Sequence, residues 1–317
     1  LKLGRMLWEQ GFDVWLPNMR SHGVPGERTF AEPYFPDDYS FDKIAGEDWP
    51  FLLDHIYNKS GKQVHIIGHS MGAMTWEQCL SGVYIDIDGS VKVSEEKILE
   101  RTKKVKSFAT IAMPPDLKDI DGVFKNFLYP LVPLLERSHS FIPFNVKDRD
   151  KHKLFSFQVL RNSMVSLFSR FGLYILPQGI VDKNNCESKE FRDLVVNHLS
   201  AAHTDYCSEL IKWMYEPYQS RDGNVDYSRN KNLKVPMLIL SASEDSLVSF
   251  SYIREHLSLF PETTPKRVVN FVGATHLDII FAKSRAFLGE EILNFYKELS
   301  SLRPLELKEI HINEFQN

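Results

Sequence analysis

The stretch "QVHIIGHSMGAMTWEQCLSG", Gln63 to Gly82, constrains this chain more than any other. It opens with a compact run rich in β-branched residues, which reads as a buried strand, and closes with helical spacing. Between them Gly68-His69-Ser70-Met71-Gly72 fits G-x-S-x-G. A serine on so sharp a strand-to-helix turn is forced into a strained backbone conformation, so its neighbours two residues away must be small. Gly68 and Gly72 meet that demand, and Ala73 leaves room for close helix packing. The bland alternative is a phosphate loop or a plain turn. The strand before and the helix after favour a nucleophile elbow with Ser70 as its nucleophile.

The same alternation recurs along the chain. "LKLGRMLWEQG" places Leu3, Met6, Leu7 and Trp8 along one helical side and ends at Gly11. "FDVWLP" reads as a short buried strand, and residues 18 to about 39 as a long loop rich in Pro, Gly and charge. A helix is predicted from about residue 41 to Gly61, capped by Ser40 or Asp42, with Pro50 marking a kink or a new first turn. Strands are predicted at "VKSFATIAMP" from Val105, "VPMLILSA" from Val235 and "RVVNFVG" from Arg267, before a last helix in "RAFLGEEILNFYKEL". Strands alternating with helices predict an α/β fold with a mostly parallel sheet and helices on both faces. From Pro114 to about Lys234 the alternation stops. This divides the chain into an N-terminal core part (1–113), an inserted helical cap (114–234) and a C-terminal core part (235–317).

A serine hydroxyl needs a base to take its proton, and the base needs a third group to orient it. In a sheet of this type the order along the chain is Ser, then Asp or Glu, then His, each acid or base following a late strand. "LILSASEDSLV" puts Glu244 and Asp245 just past one strand, and "FVGATHLDII" puts His276 just past the last. Asp245 is preferred for its D-x-L-V continuation, with Glu244 as its competitor. Surface turns also carry acids, and loops histidines, for solvation alone. His69 abuts the serine but is expected to point away from the elbow as a structural residue. The backbone N–H of Met71 is the expected first oxyanion donor. The second normally comes from a loop marked His-Gly. "RSHG", Arg20 to Gly23, has those letters but follows "DVWL", one connection too late.

Bulk properties narrow the partners. A net charge of −4 gives no basic footprint for nucleic acid. No apolar run approaches the roughly 18 residues of a membrane span. Cys79, Cys186 and Cys207 lack C-x-x-C spacing, so no zinc site is expected. Neither a metal nor a cofactor is needed by a serine–histidine–acid mechanism.

At this point the chain resembles the α/β-hydrolases of the acid lipase type, the gastric and lysosomal lipase family. "GFDVWLPNMRSHG", the run from Tyr39 through "GHSMG", "HLSAAHTDYCSELIKW", "VDYSRNKNLKVPMLILSASED" and "THLDII" are each similar to segments of that family. The resemblance implies Ser70 as nucleophile, Asp245 as acid, His276 as base, and a cap over a pocket for a hydrophobic acyl ester, with transient contact with a lipid interface. It also implies a central strand, and the oxyanion loop after it, lying before Leu1 between "DVWL" and "VHIIG". Met71 stands where the family usually has glutamine and His203 where it has glycine, so substrate preference does not carry over. The expected activity is serine carboxylic-ester hydrolysis through an acyl-enzyme. An acyltransferase on the same three residues and a non-catalytic binding module on the same fold are the alternatives. The aromatic segments "GVFKNFLYPLVPLL", "SFIPF" and "MVSLFSRFGLYILP" are expected mostly to pack on the core, with a few residues facing substrate.

Overall fold

A computed structural model describes residues 2–17, 20, 22–23, 39–117, 126, 129–138, 141–142, 179–182, 185, 201–281, 284–302 and 304–311. Helices α1 (Lys2–Glu9), α2 (Phe41–Lys43), α3 (Trp49–Ser60), α4 (Met71–Leu80), α5 (Glu95–Thr102), α6 (Val132–Ser138), α7 (Thr204–Lys212), α8 (Phe250–His256), α9 (Asp278–Phe281) and α10 (Arg285–Glu298) surround three sheets. The strands are β1 (His22–Gly23), β2 (Val64–His69), β3 (Val83–Ile85), β4 (Val91–Val93), β5 (Val105–Ile111), β6 (Phe141–Ile142), β7 (Ala201–His203), β8 (Met237–Ala242), β9 (Lys266–Val272) and β10 (Leu305–His311).

The central sheet runs β10-β9-β8-β5-β2, all parallel. Its strands are buried on both faces, and the period of two shows in where their side chains go. Phe108, Met237, Ile239 and Val268 enter one apolar cluster with α3 and α4, while Ala109, Ile111, Leu238, Leu240 and Val269 enter a second cluster with α1 and α10. The expected α/β architecture is present, with helices on both faces.

Two elements differ from the sequence reading. Residues 12–17 form no strand: β2 is the last strand of the described sheet, and a cleft of about 510 Å³ separates it from Phe12–Pro17. Phe12, Val14, Trp15, Leu53, Ile56 and His65 are among its walls. Among the described residues no neighbour stands at ladder distance, and a short apolar run without one has nothing to hydrogen-bond as a strand. The second difference is β10, which follows the last helix and pairs with β9 over its whole length. Its charged, exposed sequence "LELKEIH" gave no buried-strand signal.

Ser40 caps α2, its hydroxyl accepting from Lys43 N–H at 3.3 Å. A wide π-turn at Ile44–Asp48 precedes α3, which carries Pro50 in its first turn. Proline has no N–H to give to a carbonyl four residues back, so the helix restarts there as anticipated. Gly61 ends α3 at φ 65°. Trp49 stacks on Trp76 at 4.6 Å between ring centres and donates its indole N–H to Thr75 at 2.9 Å, fixing α3 against α4.

Of the block from 114 to 234, the described part includes short strands as well as helices. β7 pairs antiparallel with both β6 and β1, so His22 and Gly23 of "RSHG" join this small sheet. The aromatic segments named above lie largely outside the described residues. The chain from 213 to 234 returns along the core. Lys231 reaches the fully buried Glu77 of α4 and donates to Pro115 C=O at 3.2 Å.

Helix α7 meets the start of α2 through Glu209, whose carboxylate accepts Phe41 N–H at 2.9 Å and Arg221 Nε–H at 2.7 Å. Asp42, which accepts Arg221 N–H at 2.9 Å and the Tyr227 hydroxyl, is buried beside it. Burial pushes the Glu209 carboxyl up to about 7, opposed by Arg221 and reinforced by Asp42. A carboxyl raised above its unfolded value of about 4.5 contributes stability that is full below that value and lost as pH rises through about 7. Glu209→Gln is therefore expected to flatten this part of the profile. Thermal unfolding from pH 4.5 to 8 should show the wild type gaining more than the variant on acidification.

Candidate active site

β2 delivers Ser70 at its carboxyl end and α4 begins one residue later. Ser70 sits at φ 50°, ψ −124°, a left-handed region that side-chain-bearing residues rarely adopt. Its backbone is held there: Ser70 N–H donates to Ile111 C=O at 2.8 Å, and its carbonyl accepts Ala73 N–H at 2.9 Å and Met74 N–H at 3.2 Å. A Cβ on Gly68 would stand 2.6 Å from Ala73 Cα, so glycine is obligatory where the helix folds back on the strand. Gly72 is different, since a Cβ there would meet nothing within 4 Å, and crowding does not explain it. Met71 holds the first position of α4, so its N–H has no intrahelical acceptor and is free to serve an oxyanion.

Asp245 and His276 come to this point from the turns after β8 and β9. Asp245 Oδ1 accepts Leu247 N–H at 2.7 Å and Val248 N–H at 3.0 Å, and Oδ2 accepts His276 Nδ1–H at 2.8 Å. With Nδ1 donating, Nε2 carries the lone pair and accepts the Ser70 hydroxyl at 2.9 Å. Both Asp245 and His276 are buried. Glu244 is exposed and accepts from Ser243 at 3.0 Å, so it is Asp245 that reaches the imidazole. The cleft beside β2 is lined by His69 but by neither Ser70 nor His276.

Two contributors were not found from sequence. His69, expected to face away, reaches His276: its Nε2–H donates to His276 C=O at 3.1 Å. Gly179, Ile180 and Asn185, far away along the chain, brace both turns. Gly179 C=O accepts Ser246 N–H at 3.1 Å and His276 N–H at 3.4 Å, and Ile180 C=O accepts Leu277 N–H at 2.9 Å. Asn185 donates its side-chain amide to Gly273 C=O at 2.6 Å and to Asp278 at 3.1 Å. Nothing in "PQGIVDKNN" signals such a brace; Asp278, acidic and two residues past the histidine, was the one hint of a partner.

A family model described as "Alpha/beta hydrolase family" matches residues 4–285, and the chain belongs to that family. Among curated proteins it is similar to a gastric triacylglycerol lipase of Mus musculus, 26% identical over 67% of this chain and 49% of that one. A tear acid lipase-like protein of Mesocricetus auratus is 22% identical over 92% and 72% of the two chains. The human gastric triacylglycerol lipase is 24% identical over 88% and 70%. The chain spans about half the length of the mouse relative. A solved monoacylglycerol lipase from Paleococcus ferrophilus superposes with TM-score 0.53 at 14% identity, covering 93% of this chain and 86% of that one. The esterase RhEst1 from Rhodococcus sp. ECU1013 gives 0.50 at 13%, covering 94% and 85%. At these identities the superpositions speak for the shared fold.

Proposed function

We propose that this protein is a serine carboxylic-ester hydrolase, lipase- or esterase-like, that cleaves a hydrophobic acyl ester through an acyl-enzyme. The observation that carries the reading is the hydrogen-bonded line from Asp245 through His276 to a strained Ser70. As substrate carbonyl carbon bonds to Ser70 Oγ, the hydroxyl proton passes to His276 Nε2, and Asp245 stabilises the imidazolium that forms. The carbonyl oxygen becomes an oxyanion facing the Met71 N–H. Collapse breaks the bond to the alcohol oxygen, which takes the proton from Nε2, leaving Ser70 acylated. Water then repeats the sequence: it gives its proton to Nε2, attacks the acyl carbon, and Ser70 leaves with that proton restored. The similarity to gastric lipases supports a hydrophobic ester over a small polar one.

A fluorophosphonate probe is expected to form one adduct, at Ser70, mapped by mass spectrometry of the digested protein. Adduct on another serine with Ser70 untouched would refute the assignment.

A further inference from the structure

We propose that His69 is a positioning residue that sets the distance between the base and the nucleophile by holding the backbone of His276. The inference rests on the function proposed above. His276 sits on a turn between β9 and α9 whose amides are bound by residues 179 and 180 of the inserted block. Those bonds locate the turn relative to the block, but they say nothing of its distance from β2, which carries Ser70. His69 supplies that reference. It is the last residue of β2, immediately before Ser70, and its Nε2–H donates to the carbonyl of His276 itself at 3.1 Å. The two imidazole rings lie 5.1 Å apart. The base is thus tied to the elbow twice: by its side chain, through a bond that must break and re-form in every cycle, and by its main chain, through one that need not.

The chemistry of the tie suits the place. A lysine or arginine donor here would set a permanent positive charge beside an imidazole that must itself become positive during reaction. Burial drives the His69 imidazole down to about 3, and the neighbouring His276 adds to the push, so His69 donates as a neutral group. It brings a directional bond without a competing charge. A shift of about 1 Å in such a contact can cost on the order of 10² in rate.

The test compares wild type with His69→Phe, which keeps a ring without the donor, and His69→Gln, whose amide nitrogen can replace it. Sites are counted by exhaustive fluorophosphonate labelling, and kcat and KM for a p-nitrophenyl ester are expressed per labelled site. His69→Phe is expected to lose about 10- to 100-fold in kcat with KM within about twofold, and His69→Gln to regain most of the loss. Normalisation removes molecules that failed to fold, so a merely structural role would lower the labelled fraction and leave kcat per site unchanged. Unchanged kcat per site in His69→Phe, or a Gln variant as slow as the Phe variant, overturns the positioning role alone. Wild type unlabelled at Ser70 overturns the function reading and this role with it.

Discussion

Ser70→Ala is expected to lower kcat for a p-nitrophenyl ester by about 10⁶, the scale on which removing the nucleophile acts in a serine protease. The variant should keep its fold. Ser70's side chain touches His276 and makes no cap bond to α4, while the bonds that hold the elbow use its backbone. The positive φ at this position is one that alanine tolerates no worse than serine does. Thermal unfolding close to wild type, with hydrolysis near background and no fluorophosphonate adduct, is the expected pattern. Hydrolysis retained within tenfold would place the chemistry elsewhere.

Asp245→Asn is expected to cost on the order of 10⁴ in kcat, because an amide in place of the carboxylate lets the imidazole settle in the wrong tautomer. Asp245 Oδ2 accepts His276 Nδ1–H, whereas an amide NH₂ turned toward Nδ1 would place the proton on Nε2, where the lone pair is needed. Oδ1 can still accept Leu247 and Val248 N–H, so the turn keeps its geometry. Glu244→Gln alters an exposed side chain whose contact is Ser243, and activity within about twofold is expected. Comparing kcat of the two variants checks the ranking; the reverse order would move the acid by one residue.

What could be read in the sequence was what local sterics dictate. The elbow needs glycine at 68 because Ala73 backs directly onto it, and that demand is written within six residues. Strands β5, β8 and β9 announced themselves because burial on both faces forces continuous apolar runs. The turns that hold the candidates Asp245 and His276 followed from the order of strands, but that Asp245 rather than Glu244 contacts the imidazole is visible only in three dimensions. The rest depended on partners. "FDVWLP" has strand-like letters, yet a strand exists only with a neighbour, and across from it lies a cleft. β10 has the opposite history: poor letters, but a free edge of β9 to join. The brace by Gly179, Ile180 and Asn185 and the reach of His69 are tertiary facts, aimed at backbone carbonyls and amides that no side-chain pattern marks.

The position of β2 at the margin of the described sheet bears on how the protein would come apart. Val64 N–H and Ser70 N–H point to β5, so by alternation the amides of His65, Ile67 and His69 point to the cleft. Among the described residues, the strand that leads into Ser70 is therefore held by a ladder on one side. Openings of a native protein are graded, and segments with one-sided hydrogen bonding separate before those gripped on both. β5, β8 and β9 each lie between two paired neighbours, and α10 packs behind them. A partial opening that releases β2 from β5 would scatter Ser70 from His276 while leaving most of the sheet intact. Among the described residues, the geometry that joins Ser70 to His276 thus leans on one interstrand seam, that between β2 and β5.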